Sequence, residues 1–267
     1  GRLIKNFHII DGYTRYFEPG TVSPVDDPTT KVGQLVTGWK DITLSSTNSG
    51  TYYFEWTNDL KTKGRLIRNF HIVDGYTRYF EPGTISPITD PESKVGQLVT
   101  GWKDITLSET NSGTYYFEWT SSIATKGRLI KNFHIVDGYT RYFEPGAVSP
   151  VTDPETKVGQ LATGFRDIEL SATNSGTYYF EPSESNETKG KMVKGWQDQG
   201  GSTRYFETGA ESPAQNLSAK TGQMAIGFTM IRLSDSNVGT YYFEPIGSDS
   251  IRGRMLKGWQ SISGGIY

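Results

Sequence analysis

A 63-residue period governs this sequence. GRLIKNFHIIDGYTRYFEPG at 1–20 returns as GRLIRNFHIVDGYTRYFEPG at 64–83 and again from Gly127. A diverged copy, GKMVKGWQDQGGSTRYFETG, begins at Gly190, and GRMLKGW begins at Gly253. Each period contains a second, weaker copy of itself. GRLIKNF at 1–7 matches GQLVTGW at 33–39, and TRYFE at 14–18 matches TYYFE at 51–55. The repeat is therefore about 32 residues long, starting at Gly1, Gly33, Gly64, Gly96, Gly127, Gly159, Gly190, Gly222 and Gly253. That makes eight full repeats and a ninth cut off at Tyr267. A supersecondary unit this short cannot bury its apolar face alone, so the chain must stack its copies. Residues 1–267 read as a single array, near-identical over 1–180 and diverged over 181–267. The diverged end is suited to capping the array.

Each repeat reads as a β-hairpin followed by a polar loop. In odd repeats NFHII meets Asp11-Gly12 and then YTRYFE, and Asp-Gly between apolar runs is a strong two-residue hairpin signal. The implied register sets Ile10 opposite Tyr13, His8 opposite Arg15 and Phe7 opposite Tyr16. Even repeats carry a longer turn, SSTNSG at 45–50, so that GWKDITL pairs with TYYFE. No helical apolar period is present. The fold class expected is all-β: an elongated β-solenoid of stacked hairpins with a continuous aromatic core. Composition agrees, since aromatic residues make up 13% of the chain while all hydrophobic residues reach only 34%. Tyr and Phe must supply much of the buried area.

The formal net charge is -2, which gives no basic footprint for nucleic acid or an anionic membrane. There is no cysteine, so neither a disulfide framework nor a thiolate zinc site is available. No apolar run approaches the roughly 18 residues of a membrane-spanning helix. The chain opens in mid-pattern at Gly1, which predicts a piece of a longer protein.

The order Gly-x-[Leu/Met]-x-x-Gly-Trp, hairpin, Tyr-Tyr-Phe resembles the cell-wall-binding or choline-binding repeat superfamily. GQLVTGW at 33–39 and 96–102, GKMVKGW at 190–196 and GRMLKGW at 253–259 carry the likeness, with TYYFE and TRYFE following. That superfamily also takes in the glucan-binding repeats of glucansucrases and the C-terminal repeats of large clostridial toxins. The resemblance implies a β-hairpin solenoid that is secreted or surface-associated, in Gram-positive bacteria or their phages. It implies a non-catalytic module that attaches a protein to teichoic-acid choline, glucans or host glycans, needs no cofactor, and in some relatives dimerises. Two departures bear on the ligand. Choline-binding members carry a cage Trp just before Tyr-Tyr, where this chain has Thr51, Thr114, Thr177 and Thr240. Odd repeats replace the first Tyr by Arg15, Arg78, Arg141 and Arg204, and a quaternary ammonium is repelled by a nearby cation. Both departures point to the glucan-binding and toxin branches, hence to carbohydrate, with choline as the alternative. A structural stalk or protein-binding adhesin surface is a third reading.

Three sets of side chains are candidates for ligand contact. Trp39, Trp102 and Trp196 sit where Phe7, Phe70 and Phe133 sit in odd repeats, an exchange that suits either a core position or a stacking platform. Trp56 and Trp119 follow TYYFE at the loop entrance, outside the repeating core pattern, where they can stack on a sugar or clamp a loop. His8, His71 and His134 lie opposite Arg15, Arg78 and Arg141, a polar face able to hydrogen-bond hydroxyls or to remain a plain exposed strand face. No catalytic or metal-binding residue is expected. Every candidate recurs with the repeat, whereas a nucleophilic constellation is normally unique in a domain.

Overall fold

The computed structural model describes residues 2–185, 187–199 and 201–266. Among these the chain is all-β, without helix, and its strands pair only as antiparallel two-stranded sheets. The odd repeats supply β1 (Asn6–Ile10) with β2 (Tyr13–Phe17), β5 (Asn69–Val73) with β6 (Tyr76–Phe80), β9 (Asn132–Val136) with β10 (Tyr139–Phe143), and β13 (Gly195–Gln199) with β14 (Ser202–Phe206). The even repeats supply β3 (Gly38–Thr43) with β4 (Ser49–Phe54), β7 (Gly101–Thr106) with β8 (Ser112–Phe117), β11 (Gly164–Ser171) with β12 (Asn174–Phe180), and β15 (Gly227–Ser234) with β16 (Asn237–Phe243). The ninth repeat forms a short β17 (Ser261–Ile262) and β18 (Gly265–Ile266).

Local chemistry sets each hairpin. Asp11 and Gly12 have φ of 51° and 77°, the left-handed pair that a tight two-residue turn requires. The register follows, with Phe7 opposite Tyr16, His8 opposite Arg15 and Ile10 opposite Tyr13. In even repeats Trp39 faces Tyr53 and Asp41 faces Thr51, and each strand extends one residue further into the turn, to Thr43 and Ser49. Asn6, Asn69 and Asn132 have φ between 62° and 67°, and their glycine counterpart Gly38 has 77°. This explains why Asn and Gly exchange at that point of the repeat: both tolerate the left-handed region.

Two compact units make up the chain, Gly1–Ile130 with Gly146–Val158, and Lys131–Pro145 with Gly159–Tyr267. Inside each, every hairpin is tied to the next and to the next but one. Gly33 N donates to Glu18 O at 2.8 Å and Val36 N to Tyr16 O at 2.9 Å, linking repeats 1 and 2. Leu66 N donates to Thr14 O at 2.8 Å, linking repeat 3 back to repeat 1, and Met224 N repeats the bond to Thr177 O at 2.7 Å. The glycine that opens each repeat is needed for this closeness. At Gly64, φ is 72° and an added Cβ would lie 2.7 Å from the Leu35 side chain of the preceding repeat.

The core alternates in character along the chain. Phe7, Tyr16, Val36, Ile42, Tyr52, Phe54 and Leu66, drawn from three successive repeats, form one cluster. Phe133, Tyr142, Tyr178 and Phe180 anchor its counterpart in the second compact unit. Smaller clusters lie between them, such as Ile67, Val73 and Phe80 with half-buried Trp39 and Tyr53. The aromatic core is thus parcelled into two alternating kinds of cluster, in keeping with a 63-residue rather than a 32-residue sequence period.

Candidate functional site

The candidate residues of the repeat fall into different environments. Arg15, Arg78, Arg141 and Arg204 are buried, Arg78 and Arg141 with no exposed surface. Their guanidinium groups turn into the chain. Arg78 Nε donates to Lys126 O at 3.0 Å, Nη2 to Ala124 O at 3.0 Å and Ile123 O at 3.2 Å, and Nη1 to Val73 O. Arg15 does the same to Ile10 O, Lys61 O and Lys63 O, and Arg141 to Val136 O, Glu187 O and Lys189 O. Each arginine therefore ties its own hairpin turn to the loop that leads into the repeat two further on. A buried cation is tolerable here because its donors meet fixed carbonyl oxygens. His8 and His134 are exposed and His71 is half-buried, so a joint His–Arg surface does not form: the register pairs the residues, but the guanidinium is drawn inward. Burial pushes the His71 imidazole below its ordinary pKa, with Arg65 adding to the shift against Glu55.

Trp39 is half-buried and meets Tyr53 edge-on at 4.9 Å. The Arg78 guanidinium lies 5.0 Å from its ring centre, and its Nε1 donates to Asp74 Oδ2 at 2.9 Å. The aromatic face is thus already supplied with a cation from within the chain. The Asp of the Asp-Gly turn has a second role as acceptor for an indole. In the second compact unit Arg204 lies 5.2 Å from the Phe165 ring centre, the same arrangement with Phe for Trp. Trp102 packs edge-on against Tyr116 at 4.9 Å, and Trp196 against Tyr205 at 5.1 Å and Tyr241 at 5.0 Å.

Trp56 and Trp119 differ from all of these. They are 79% and 78% exposed, on the chain just past β4 and β8. Trp259 is also exposed, at 85%.

Beside the even hairpins the structure forms a polar groove that the sequence did not single out. In the first compact unit a groove of about 460 Å³ is lined by Asp41, Ile42, Thr51, Gln97, Leu98 and Lys126, among others. Thr51 Oγ1 donates to Asp41 Oδ1 at 2.6 Å and accepts from Lys126 Nζ at 2.9 Å. In the second unit the same positions, 126 residues on, line a groove of about 580 Å³ with Asp167, Ile168, Thr177, Gln223, Met224 and Arg252. Thr177 again donates to Asp167, and Arg252 Nη2 donates to both oxygens of that carboxylate at 3.0 and 3.1 Å. Burial pushes the Asp167 carboxyl up, but the Thr177 hydroxyl and the Arg252 guanidinium outweigh it and hold the group below its ordinary pKa. The fixed spacing of Asp, Thr and Lys or Arg was the signal in the sequence that could have found this groove. Among the described residues no group of three or more His, Cys, Asp or Glu is placed to hold a metal ion.

The fold of repeated two-stranded hairpins joined by aromatic clusters is shared with solved structures of choline-binding proteins. CbpJ from Streptococcus pneumoniae TIGR4 matches at 17% identity over 99% of this chain and 85% of its own, with a TM-score of 0.55. Choline binding protein F from Streptococcus pneumoniae matches at 19% identity over 99% of this chain and 84% of its own, with a TM-score of 0.51. CbpF in complex with ipratropium matches at 19% identity, over 98% and 84%, with a TM-score of 0.53. At these identities the likeness is one of fold. No family model and no curated protein sequence matches the chain.

Proposed function

We propose that this chain is a non-catalytic, multivalent region of a larger secreted or surface-associated protein, binding a cell-wall polymer or host glycan. The observation that carries the reading is the exposure of Trp56 and Trp119, at equivalent positions one 63-residue period apart. A tryptophan that serves the core is covered by its neighbours. Two that stand free on the loops after β4 and β8 supply rigid aromatic faces suited to the apolar side of a pyranose. The ties from each hairpin to the next and the next but one support stacking of the repeats as an elongated β-solenoid. Sites on such an array act together, and linking weak sites raises avidity by roughly 10²–10⁴ where geometry lets them engage at once.

Binding of labelled protein to an array of glycans and purified cell-wall polymers tests the proposal. Saturable binding to one glycan class is expected, and Trp56→Ala with Trp119→Ala weakens it by more than about tenfold, the loss typical of a tryptophan at the centre of a contact. Binding that survives both substitutions overturns the role of these residues.

Choline is the second reading, favoured by the likeness in fold to choline binding protein F. The Arg78 guanidinium over Trp39 argues against it at that face, because a second cation there meets like charge. Free choline as competitor separates the two: displacement of the bound polymer favours choline, and indifference favours carbohydrate.

A further inference from the structure

We propose that the two polar grooves are pyranose subsites for a neutral glycan, with Asp41 and Asp167 accepting from sugar hydroxyls and Lys126 and Arg252 donating to them. The inference rests on the carbohydrate reading above and names the residues and the sugar class. Four observations converge on it.

The first is recurrence. Ten positions line the first groove, and each has its counterpart 126 residues on in the second. The Asp, Thr and cation set is kept: Asp41 and Thr51 return as Asp167 and Thr177, and Lys126 becomes Arg252, while Leu98 becomes Met224, Thr43 becomes Glu169 and Thr100 becomes Ile226. Second, the charges of the first groove balance. Asp41 and Lys126 meet at the Thr51 hydroxyl, whereas the second groove sets Asp167 and Glu169 against Arg252. The first groove therefore offers no net field to an anionic polymer or a quaternary ammonium. Its fixed acceptor and donor match the vicinal hydroxyls of a sugar ring, and hydrogen bonds to charged groups are the stronger kind. Third, the cation of the second groove is fixed at its wall: Arg252 Nη2 donates to Asp249 Oδ1 at 3.1 Å as well as to Asp167.

The fourth observation connects the grooves to the exposed tryptophans. Pro245 lines the second groove, and the residue 126 positions before it is Trp119. By sequence the first copy carries an exposed indole where the second has its lining proline, although Trp119 itself does not line the first groove. The second copy, with Pro245, is the weaker platform. Room for the groove floor depends on Gly50, where an added Cβ would lie 2.7 Å from the Gln97 side chain.

Affinity electrophoresis of the full chain in gels containing dextran, mannan or soluble chitin oligomers tests the proposal, with lipoteichoic acid and phosphocholine as charged comparators. At least one neutral glycan should retard the wild-type protein. Asp41→Asn with Asp167→Asn should weaken that retardation about tenfold, the loss expected for hydrogen bonds to a charged group. Lys126→Gln should weaken it more than Arg252→Gln, because the first groove alone is charge-balanced and the exposed tryptophan stands in the first copy. Thr51→Val, which leaves both charges in place, serves as a milder variant, and an unchanged circular dichroism melt confirms that each protein is folded. Retardation that the Asp variants keep and Trp119→Ala abolishes overturns the groove assignment while leaving carbohydrate binding standing. Retardation by the charged comparators alone overturns the assignment of a neutral sugar. A wild-type protein that no glycan retards overturns the groove together with the reading it rests on.

Discussion

Arg78 has no exposed surface, yet it sits in a strand position where a pattern reading places it beside His71 on a polar strand face. The cross-strand partner was legible in the sequence, because the Asp-Gly turn fixes the register to the residue. The direction of the guanidinium was not, because its acceptors, Ile123 O, Ala124 O and Lys126 O, lie 45–48 residues downstream. The pairing is geometric: five N–H groups in a planar fork meet carbonyls held by two different loops. Lysine keeps the charge but loses the fork. Arg78→Lys should therefore destabilise the protein by about 3 kcal/mol, the scale of leaving buried carbonyls unmet around a misplaced charge, read as a lower urea midpoint. An unchanged midpoint would remove the arginine from its role as a tie between repeats. In the even repeats the same strand position holds Tyr52, whose hydroxyl accepts from Gln97 Nε2 at 3.0 Å, while that amide also donates to Asn48 Oδ1 at 2.6 Å. Arg and Tyr thus perform one task with different chemistry, which is why the sequence repeats strictly only every 63 residues.

At the scale of the hairpin, the aromatic cluster is the stabilising element. Phe7 meets Tyr16 at 4.8 Å and Tyr52 at 5.7 Å, so one strand residue joins two hairpins. Phe70 with Tyr79 and Tyr115, and Phe133 with Tyr142 and Tyr178, repeat it. This burial has a titration signature. Burial, with the nearby Glu81 and Glu144 carboxylates, pushes the Tyr79 and Tyr142 phenols up to about 12. Between the ordinary phenol value of 10.0 and that value the unfolded chain releases phenolic protons that the folded chain retains. Their contribution to stability is therefore complete below pH 10 and is lost as the pH rises toward about 12. Phenolate absorbance and circular dichroism, followed together through alkaline titration, should show these two groups ionising as the hairpins melt. One smooth titration of all sixteen tyrosines with the native spectrum retained would falsify the assignment. The cluster was legible as aromatic positions in strands. Which tryptophans join it was not: Trp39 is half-buried because Tyr53, Phe80 and Arg78 surround it, whereas Trp56, two residues past β4, meets no such wall.

For the molecule as a whole, the inferred solenoid gives a prediction of size. A stack of nine repeats is much longer than a compact domain of 267 residues, whose radius of gyration would be about 18 Å. Small-angle scattering should give a distinctly larger value, with the distance distribution of a rod. A value near that of a globule would refute one continuous stack.

The sequence by itself determined the period, the hairpin in each repeat, the turn type and the strand register. These depend on neighbours within about 15 residues, where Asp-Gly chemistry and alternation leave little choice. Tertiary structure alone decided what the repeated polar residues do. Arg15, Arg78, Gln97 and Asn48 face inward, and Asp41, Thr51 and Lys126 meet in a groove, because each finds its partner in a repeat brought alongside by stacking. A polar side chain has no burial preference of its own that a local pattern can reveal. Its place is set by where the matching carbonyl, carboxylate or hydroxyl arrives, and here that group lies as much as 85 residues away.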